Sequence, residues 1–419
     1  MTQISVTSRW IVWRSSGMLL PLQILSGLSF GLLLPLQGAD WPQFRGPNGS
    51  GVSTEAPLPV EWSRTHNIAW QASLPGRGVS SPIVVGDRVY LTASSGPRGD
   101  RLHLLAYDAH RGTLLWHRQL QATGPTHCHP KTCMAAHTPA ADAQGVYALF
   151  ASGDLLACNP DGSLRWYRSL ASDYPTISNQ VGMAASLILI EGKLIVPMDN
   201  VGESFLAALD IRDGRNLWKA ERPREINWVT PVVRPHTEGA EILLAGPRGL
   251  YAYDVATGQV RWSFKEAAFT VPLPLLEDEA VYLPVQGVSK FSLGPDGIRG
   301  KPLWQNRSLQ TGYSSPLLYR GRIYTASSTG FITAADATSG KELFRERVKG
   351  AFSASPVAGD GKVYCFNETG TCYVLDARTD TFELLATNSL EEETLATPAI
   401  AHQRLYVRTD KTLYAIGLK

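Results

Sequence analysis

One recurring phrase fixes what this chain can fold into. Its plainest copy is Ala252-Tyr253-Asp254-Val255-Ala256-Thr257-Gly258-Gln259-Val260-Arg261-Trp262. An alternating apolar run reaches an Asp, a turn places a Gly four residues on, and a bulky ring stands eight residues after the Asp. The phrase returns as Asp108, Gly112, Trp116, as Asp210, Gly214, Trp218, and as Asp336, Gly340, Phe344. Without the Asp it returns as Gly162, Trp166 and as Gly300, Trp304, and a worn copy reads Asp376, Asp380, Leu384. Copies stand about 40 to 52 residues apart, the range of stacked repeat units. Physically the phrase is a hairpin: the Gly accepts the positive φ of a tight turn, and the Asp accepts from backbone N–H groups just beyond it. The ring then falls on the next strand, where packing between units, rather than a substrate-binding stripe, is its plainer role.

A second phrase precedes each copy, a Pro followed seven residues later by the first apolar residue of a strand. Pro82, Pro139, Pro274, Pro316, Pro356 and Pro398 open units this way, Leu187 takes the place of the Pro in one more, and Pro231 opens another that carries a short insert around His236 to Gly239. Each unit then reads strand, turn, strand, loop, strand, turn, strand, which is one four-stranded antiparallel blade. The predicted fold is therefore all-β, an eight-bladed β-propeller. The eighth unit ends at Gly417 without its outer strand, while residues 67–74 carry that strand's pattern with Trp70 in the ring position. These residues are expected to complete blade eight and remove the last free sheet edge.

Three segments follow in domain terms. Residues 1–39 read as an export signal: Arg9 and Arg14, an apolar run from Met18 to Leu36, then small Gly38 and Ala39. Cleavage after Ala39 is favoured over a retained anchor because Pro21, Gln23 and Pro35 sit badly in a membrane helix. Residues 40–61 read as an N-terminal arm laid against the ring, since Trp41 and Phe44 call for burial. Residues 62–419 form the propeller. Lys plus Arg (39) nearly balances Asp plus Glu (37), which speaks against a nucleic-acid partner. The expected location is outside the cytoplasm, periplasmic or secreted.

The five cysteines leave an odd thiol in an exported chain. Cys128 and Cys133 share a loop and are close enough to bridge; Cys365 and Cys372 flank a hairpin turn; Cys158 reads as a buried thiol. Geometry decides both pairings.

Strand parity places second-to-third-strand turns and blade-to-blade links on one face. Four such segments, residues 121–137, 172–180, 199–204 and 222–228, are long or polar and neighbour one another around the channel. The expected ligand-binding residues are His127, His129, His137, Asn179, Asn200, Arg224, Asn227 and Trp228. His127, Cys128, His129, Cys133 and His137 could ligate zinc, but their spacing matches no finger or ribbon. Asp199, Asn200 and Glu203 lack a calcium-loop pattern, and turn chemistry is the reading preferred there. No metal site is assigned. No nucleophile with a partner is visible, so no catalytic residue is assigned either, and Arg224 with Glu225 reads as an ion pair.

Ser-Pro-x-x-x-x-Gly-x-Val-Tyr followed by Leu-Asp-x-x-Thr-Gly-x-x-x-Trp resembles the PQQ-like, quinoprotein-type repeat. Trp41-Pro42-Gln43-Phe44-Arg45-Gly46-Pro47 resembles the start of exported bacterial proteins of that family. The resemblance implies either of two activities. Quinoprotein alcohol and glucose dehydrogenases bind pyrroloquinoline quinone with calcium; the BamB lipoprotein of outer-membrane assembly is not an enzyme. The dehydrogenases share a pair of adjacent cysteines on the quinone, and no two cysteines are adjacent here. No lipobox Cys follows the apolar run either. The preferred reading is a non-catalytic exported, BamB-like propeller without a cofactor, binding a protein partner or small ligand on its loop-rich face. The alternative is a divergent oxidoreductase using pyrroloquinoline quinone with calcium.

Overall fold

Hydrophobic alternation with a turn every few residues can bury its apolar side only if short sheets stack face to face, and the chain does this eight times. A computed structural model describes residues 40–418, apart from 179, 237–238 and 266–269. The segment read as an export signal and Asn179 lie outside the described residues. Eight four-stranded antiparallel sheets follow one another around a ring. Blade one runs through Ile83–Val85, Arg88–Ser95, Arg101–Asp108 and Leu114–Gln121, from the channel outward. Inner strands are short and buried on both faces, whereas outer strands such as Leu114–Gln121 keep only their ring position buried. No helix among the described residues is long and apolar enough to cross a membrane.

The ring closes as the pattern of residues 67–74 requires. Ile68–Ser73 pairs antiparallel with Thr412–Ile416, with Trp70 opposite Ala415 and Ser73 opposite Thr412. Blade eight therefore takes its outer strand from the beginning of the propeller and its inner three from the end.

Six of the recurring rings, all tryptophans, lie across a turn glycine of the following blade, whereas Phe344 packs edge-on against Phe382. A Cβ on Gly112 would come within 2.5 Å of Trp70, and Gly162, Gly214, Gly258 and Gly340 stand in the same relation to Trp116, Trp166, Trp218 and Trp304. These glycines have φ of 71° to 83°, so both the backbone and the ring exclude a side chain. The indole N–H of Trp70, Trp116, Trp166, Trp218 and Trp304 donates to a carbonyl in the same neighbouring turn, at 2.9 to 3.2 Å. Blade five departs from the spacing expected of it. Its outer hairpin is longer, Val288–Gly294 and Gly297–Asn306, with an irregularity between Lys290 and Ser292. Gly297, not Gly300, therefore sits beneath Trp262, and open space surrounds Gly300.

The arm runs beneath the ring on the face of the first-to-second-strand turns. Trp41 bridges to Val84 in blade one, the Ala141 N–H of blade two donates to the Pro42 carbonyl, and Val52 bridges to Ala358 in blade seven. Between these points the Arg45 guanidinium donates to the carbonyls of Gly49, Ser50, Ser315 and Pro316. The arm thus spans the ring from blade one to blade seven.

All five cysteines are free thiols. Cys365 stands opposite Tyr373 and Cys372 opposite Phe366, so the two sulfurs leave opposite faces of blade seven. Cys365 packs toward blade six and Cys372 toward blade eight, which rules out the cross-strand bridge. Cys158 is fully buried, as expected.

Candidate functional site

The blade-opening phrase does more than start strands. The residue before each Pro, or before Leu187, is a hydroxyl in seven blades: Ser81, Thr138, Thr230, Ser315, Ser355 and Thr397, with Ser186 before the Leu; Leu273 stands in blade five. Six of these hydroxyls accept from the backbone N–H of the preceding blade. Ser81 donates to Thr138 Oγ1 at 2.9 Å, Thr138 to Ser186 Oγ at 3.0 Å and Ser186 to Thr230 Oγ1 at 2.8 Å. Leu273, Ser315 and Ser355 continue the belt to Ser315, Ser355 and Thr397. Ser81 Oγ alone in this belt lacks a hydrogen-bond partner. The belt lines an axial chamber of about 410 Å3.

Phe44 of the arm lines this chamber from one end. At the other end the link from blade one to blade two arches over the channel as a strap. The His129 N–H donates to the Val181 carbonyl, and Lys131 Nζ reaches across to Glu368 Oε1 at 2.7 Å. Lys131 also stands 5.2 Å over the Tyr313 ring, and Arg77 donates to the Pro130 and Thr132 carbonyls. The chamber mouth therefore presents His129, Lys131 and Thr132 from the strap, and the Trp228 and Tyr313 rings from the wall. The Trp228 indole N–H donates to the Gly182 carbonyl at 2.7 Å, which fixes the ring's orientation.

Of the residues expected at the site, His129 and Trp228 line the chamber together. His127 lies on the strap and Arg224 on the link to blade four; both are exposed and neither lines the chamber. His137, Asn200 and Asn227 are buried in supporting roles. Asn200 donates to the Met198 and Glu203 carbonyls and accepts from the Ser178 and Gly202 N–H groups, so it locks a turn. Asn227 donates to Asp199 Oδ2 and to the Ala245 carbonyl. Asp199 forms a buried bidentate pair with Arg222, at 2.6 and 2.8 Å, and Arg222 also bonds the Tyr253 hydroxyl. Glu203 pairs with Lys219. The donors weighed for calcium are thus committed to protein partners. Glu225 pairs with Arg248 across a turn, not with Arg224 as its position in sequence suggested. Lys131, Tyr313 and the hydroxyl belt are the lining groups that reasoning from loops missed; the Ser or Thr before each blade-opening Pro was the available signal.

His137 makes a pH prediction. Its Nδ1 lies 2.6 Å from the Ala185 carbonyl and its Nε2 has no partner. Burial pushes its pKa down from 6.5 to about 4, partly offset by the Ala185 carbonyl. A depressed histidine pKa means the unfolded chain takes up the proton first. Its contribution is therefore present in full above pH 6.5 and is lost as pH falls toward about 4. The loss amounts to about 3 kcal/mol. Urea titrations at intervals across that window should show a shallower fall for His137→Gln; parallel curves for the two proteins would refute the assignment.

A calcium-bound anionic quinone calls for oxygen ligands, carboxylates above all. Among the described residues the chamber lining holds hydroxyls, apolar side chains, one Lys and one His, and no carboxylate or cysteine. Glu368, at the rim, is already bonded to Lys131 and Ser353. The residues present do not fit that pair.

Comparison with known proteins places this ring among relatives of both kinds. The family model described as outer membrane protein assembly factor BamB matches residues 51–196, 202–289 and 286–416. A polyvinylalcohol dehydrogenase of Sphingopyxis sp. (strain 113P3) is 24% identical over 242 residues, 47% of this chain and 35% of that protein. The chain thus matches about a third of that relative's length. Among solved structures, the quinohemoprotein alcohol dehydrogenase from Comamonas testosteroni superposes with a TM-score of 0.69 at 14% identity, covering 91% of this chain and 81% of that one. BamB from Moraxella catarrhalis superposes with a TM-score of 0.62 at 16% identity, covering 84% and 97%. At these identities the two structures speak for the fold alone.

Proposed function

The chain belongs to the PQQ-like propeller family described as outer membrane protein assembly factor BamB, and from that premise we propose that it is a non-catalytic, exported binding ring. Its binding site is the roofed chamber mouth on the loop-rich face. The observation that carries this reading is the chamber lining: hydroxyls and the three aromatic rings of Phe44, Trp228 and Tyr313, with no carboxylate among the described residues. Such a lining can hold a flat ligand or a protein side chain by contact and hydrogen bonding, and its one imidazole, His129, has no carboxylate in the lining to orient it as a general base. The export signal read in residues 1–39 and the family description support a workplace at the cell envelope. Its partner is a protein segment or a small ligand.

The second reading, a quinone-dependent oxidoreductase, is favoured by the similarity to the polyvinylalcohol dehydrogenase. The two separate in one experiment. The purified chain is mixed with pyrroloquinoline quinone and calcium, desalted, and assayed for its absorption spectrum and for alcohol-dependent dye reduction. We expect no retained quinone band and no reduction. Stoichiometric retention with turnover would replace the binding reading by the enzymatic one.

The strap makes a further prediction. Lys131 and Glu368 are partly exposed, at 42% and 21% of their side chains. Lys131→Ala should therefore change stability by less than about 1 kcal/mol. Amide exchange in residues 127–133 should nevertheless rise, because the strap loses its far anchor. Unchanged exchange there would mean that the strap is held from the near side alone.

A further inference from the structure

At the junction of the first and last blades, on the face opposite the chamber mouth, three turns bring two imidazoles and a carboxylate together. Asp87 comes from the inner turn of blade one, between Ile83–Val85 and Arg88–Ser95. His110 comes from its outer turn, between Arg101–Asp108 and Leu114–Gln121. His402 comes from the inner turn of blade eight, where His402 and Gln403 both have positive φ, 52° and 59°. One ligand atom from each of the three lies within 4.8 Å of the other two. His110 Nε2 is 2.9 Å from Asp87 Oδ1, and the two imidazole rings are 4.8 Å apart.

We propose that Asp87, His110 and His402 bind a divalent transition-metal ion that links blade one to blade eight. Two neutral imidazoles and one carboxylate suit zinc, cobalt, nickel or copper, whereas calcium and magnesium prefer oxygen ligands throughout. The hydrogen bonds behind His402 set its tautomer. The Tyr406 hydroxyl donates its single proton to the Ala109 carbonyl at 3.1 Å. Toward His402 Nδ1, 3.1 Å away, it can then only accept, so Nδ1 carries the hydrogen. Nε2 is left with a free lone pair, the arrangement usual behind a metal-bound histidine. Metal bonds of about 2.0–2.2 Å require the three ligand atoms to draw together from their present separation. Asp87 and His110 have the freedom to do so, with side chains 76% and 51% exposed on well-formed turns. Water fills the remaining coordination positions. The Arg404 guanidinium, which donates to the Ala109 and His110 carbonyls, is a nearby positive charge that moderates affinity.

Such an ion would join the two blades whose sheets are brought together by ring closure, adding to the Trp70 contact with Ala109. By mass action, an ion held at about 100 times its dissociation constant raises the melting temperature. The test uses the full chain freed of metal by chelation and titrated with cobalt, read by its visible absorption, and with zinc, read by calorimetry and thermal melting. One equivalent should bind. In the double variant His110→Ala, His402→Asn affinity should fall at least about 100-fold and the thermal shift should vanish. Asn tolerates the left-handed backbone at residue 402, so the variant keeps its turn. His127→Ala, exposed on the strap and outside the chamber lining, should bind as the unaltered chain does. No uptake by the unaltered chain, or equal uptake by the double variant, overturns the proposal.

Discussion

Trp218→Ala and Trp262→Ala should each lower unfolding free energy by about 3–5 kcal/mol, the range for removing a large buried aromatic ring. Both rings are 9% exposed and lie across the turn of the next blade, Trp218 on Gly258 and Trp262 on Gly297. Neither turn can fill the cavity left behind, because a residue with positive φ and no side chain has nothing to move into it. Trp218→Ala also leaves the Val255 carbonyl without its indole donor. Trp262→Ala costs more in kind, because its N–H donates to the fully buried Glu241 carboxylate, which otherwise relies on Arg234 and Arg261. Each blade touches only its neighbours, so local loosening should also broaden the transition. Leu164→Ala, at an exposed outer-strand position, serves as the control and should stay within about 0.5 kcal/mol. Urea unfolding followed by circular dichroism measures all three, and Trp variants that match the control would show that the rings only decorate the sheets.

The ring was legible because its determinants are local and repeated. An Asp, a Gly and a Trp at fixed offsets report a turn and the ring that covers its neighbour, and repetition separates that signal from chance. Closure was legible for the same reason, since residues 67–74 carry an outer-strand pattern with no inner strands of their own. Blade five shows the limit. Its hairpin lengthened around an irregularity, which moved the covered glycine from the expected Gly300 to Gly297. The site was legible only as a set of loops on one face. Trp228 and His129 do meet at the chamber mouth, but nothing near Lys131 in sequence says that it reaches Glu368. Likewise Asn227 looked available to a ligand because its partners, Asp199 and the Ala245 carbonyl, become visible only when the loops fold against one another, whereas Asn200 is taken up mainly by its own turn, at Met198, Gly202 and Glu203. Long-range pairing of polar groups carries no spacing signature, and that is why the fold could be read and the site could be read only in outline.

Replacing Arg45 by Met should destabilise the chain by about 4 kcal/mol and unseat the arm from the ring. The guanidinium is fully buried, and burial lowers its pKa to about 9, with no carboxylate to offset the loss of water. What holds it is a cage of four carbonyls, two from its own arm and two, Ser315 and Pro316, from blade six. Met keeps the length and apolar stem but leaves those carbonyls without a donor, at about 1–3 kcal/mol for each that water cannot reach. The arm's other anchors are the packing of Trp41 and Phe44 and the backbone bonds to Val84, Ala141 and Ala358 on either side, so Arg45 is the polar tie between them. Because Phe44 lines the chamber, release of the arm should also open the chamber at that end. Amide exchange should therefore rise in residues 41–51 and in the blade-opening segments around Ser315 and Ser355, while the outer strands stay protected. Thermal melting and exchange on the same samples decide the matter. A variant that melts with the unaltered chain and keeps residues 41–51 protected would show that the arm is seated by its aromatic contacts, with the buried cation contributing nothing.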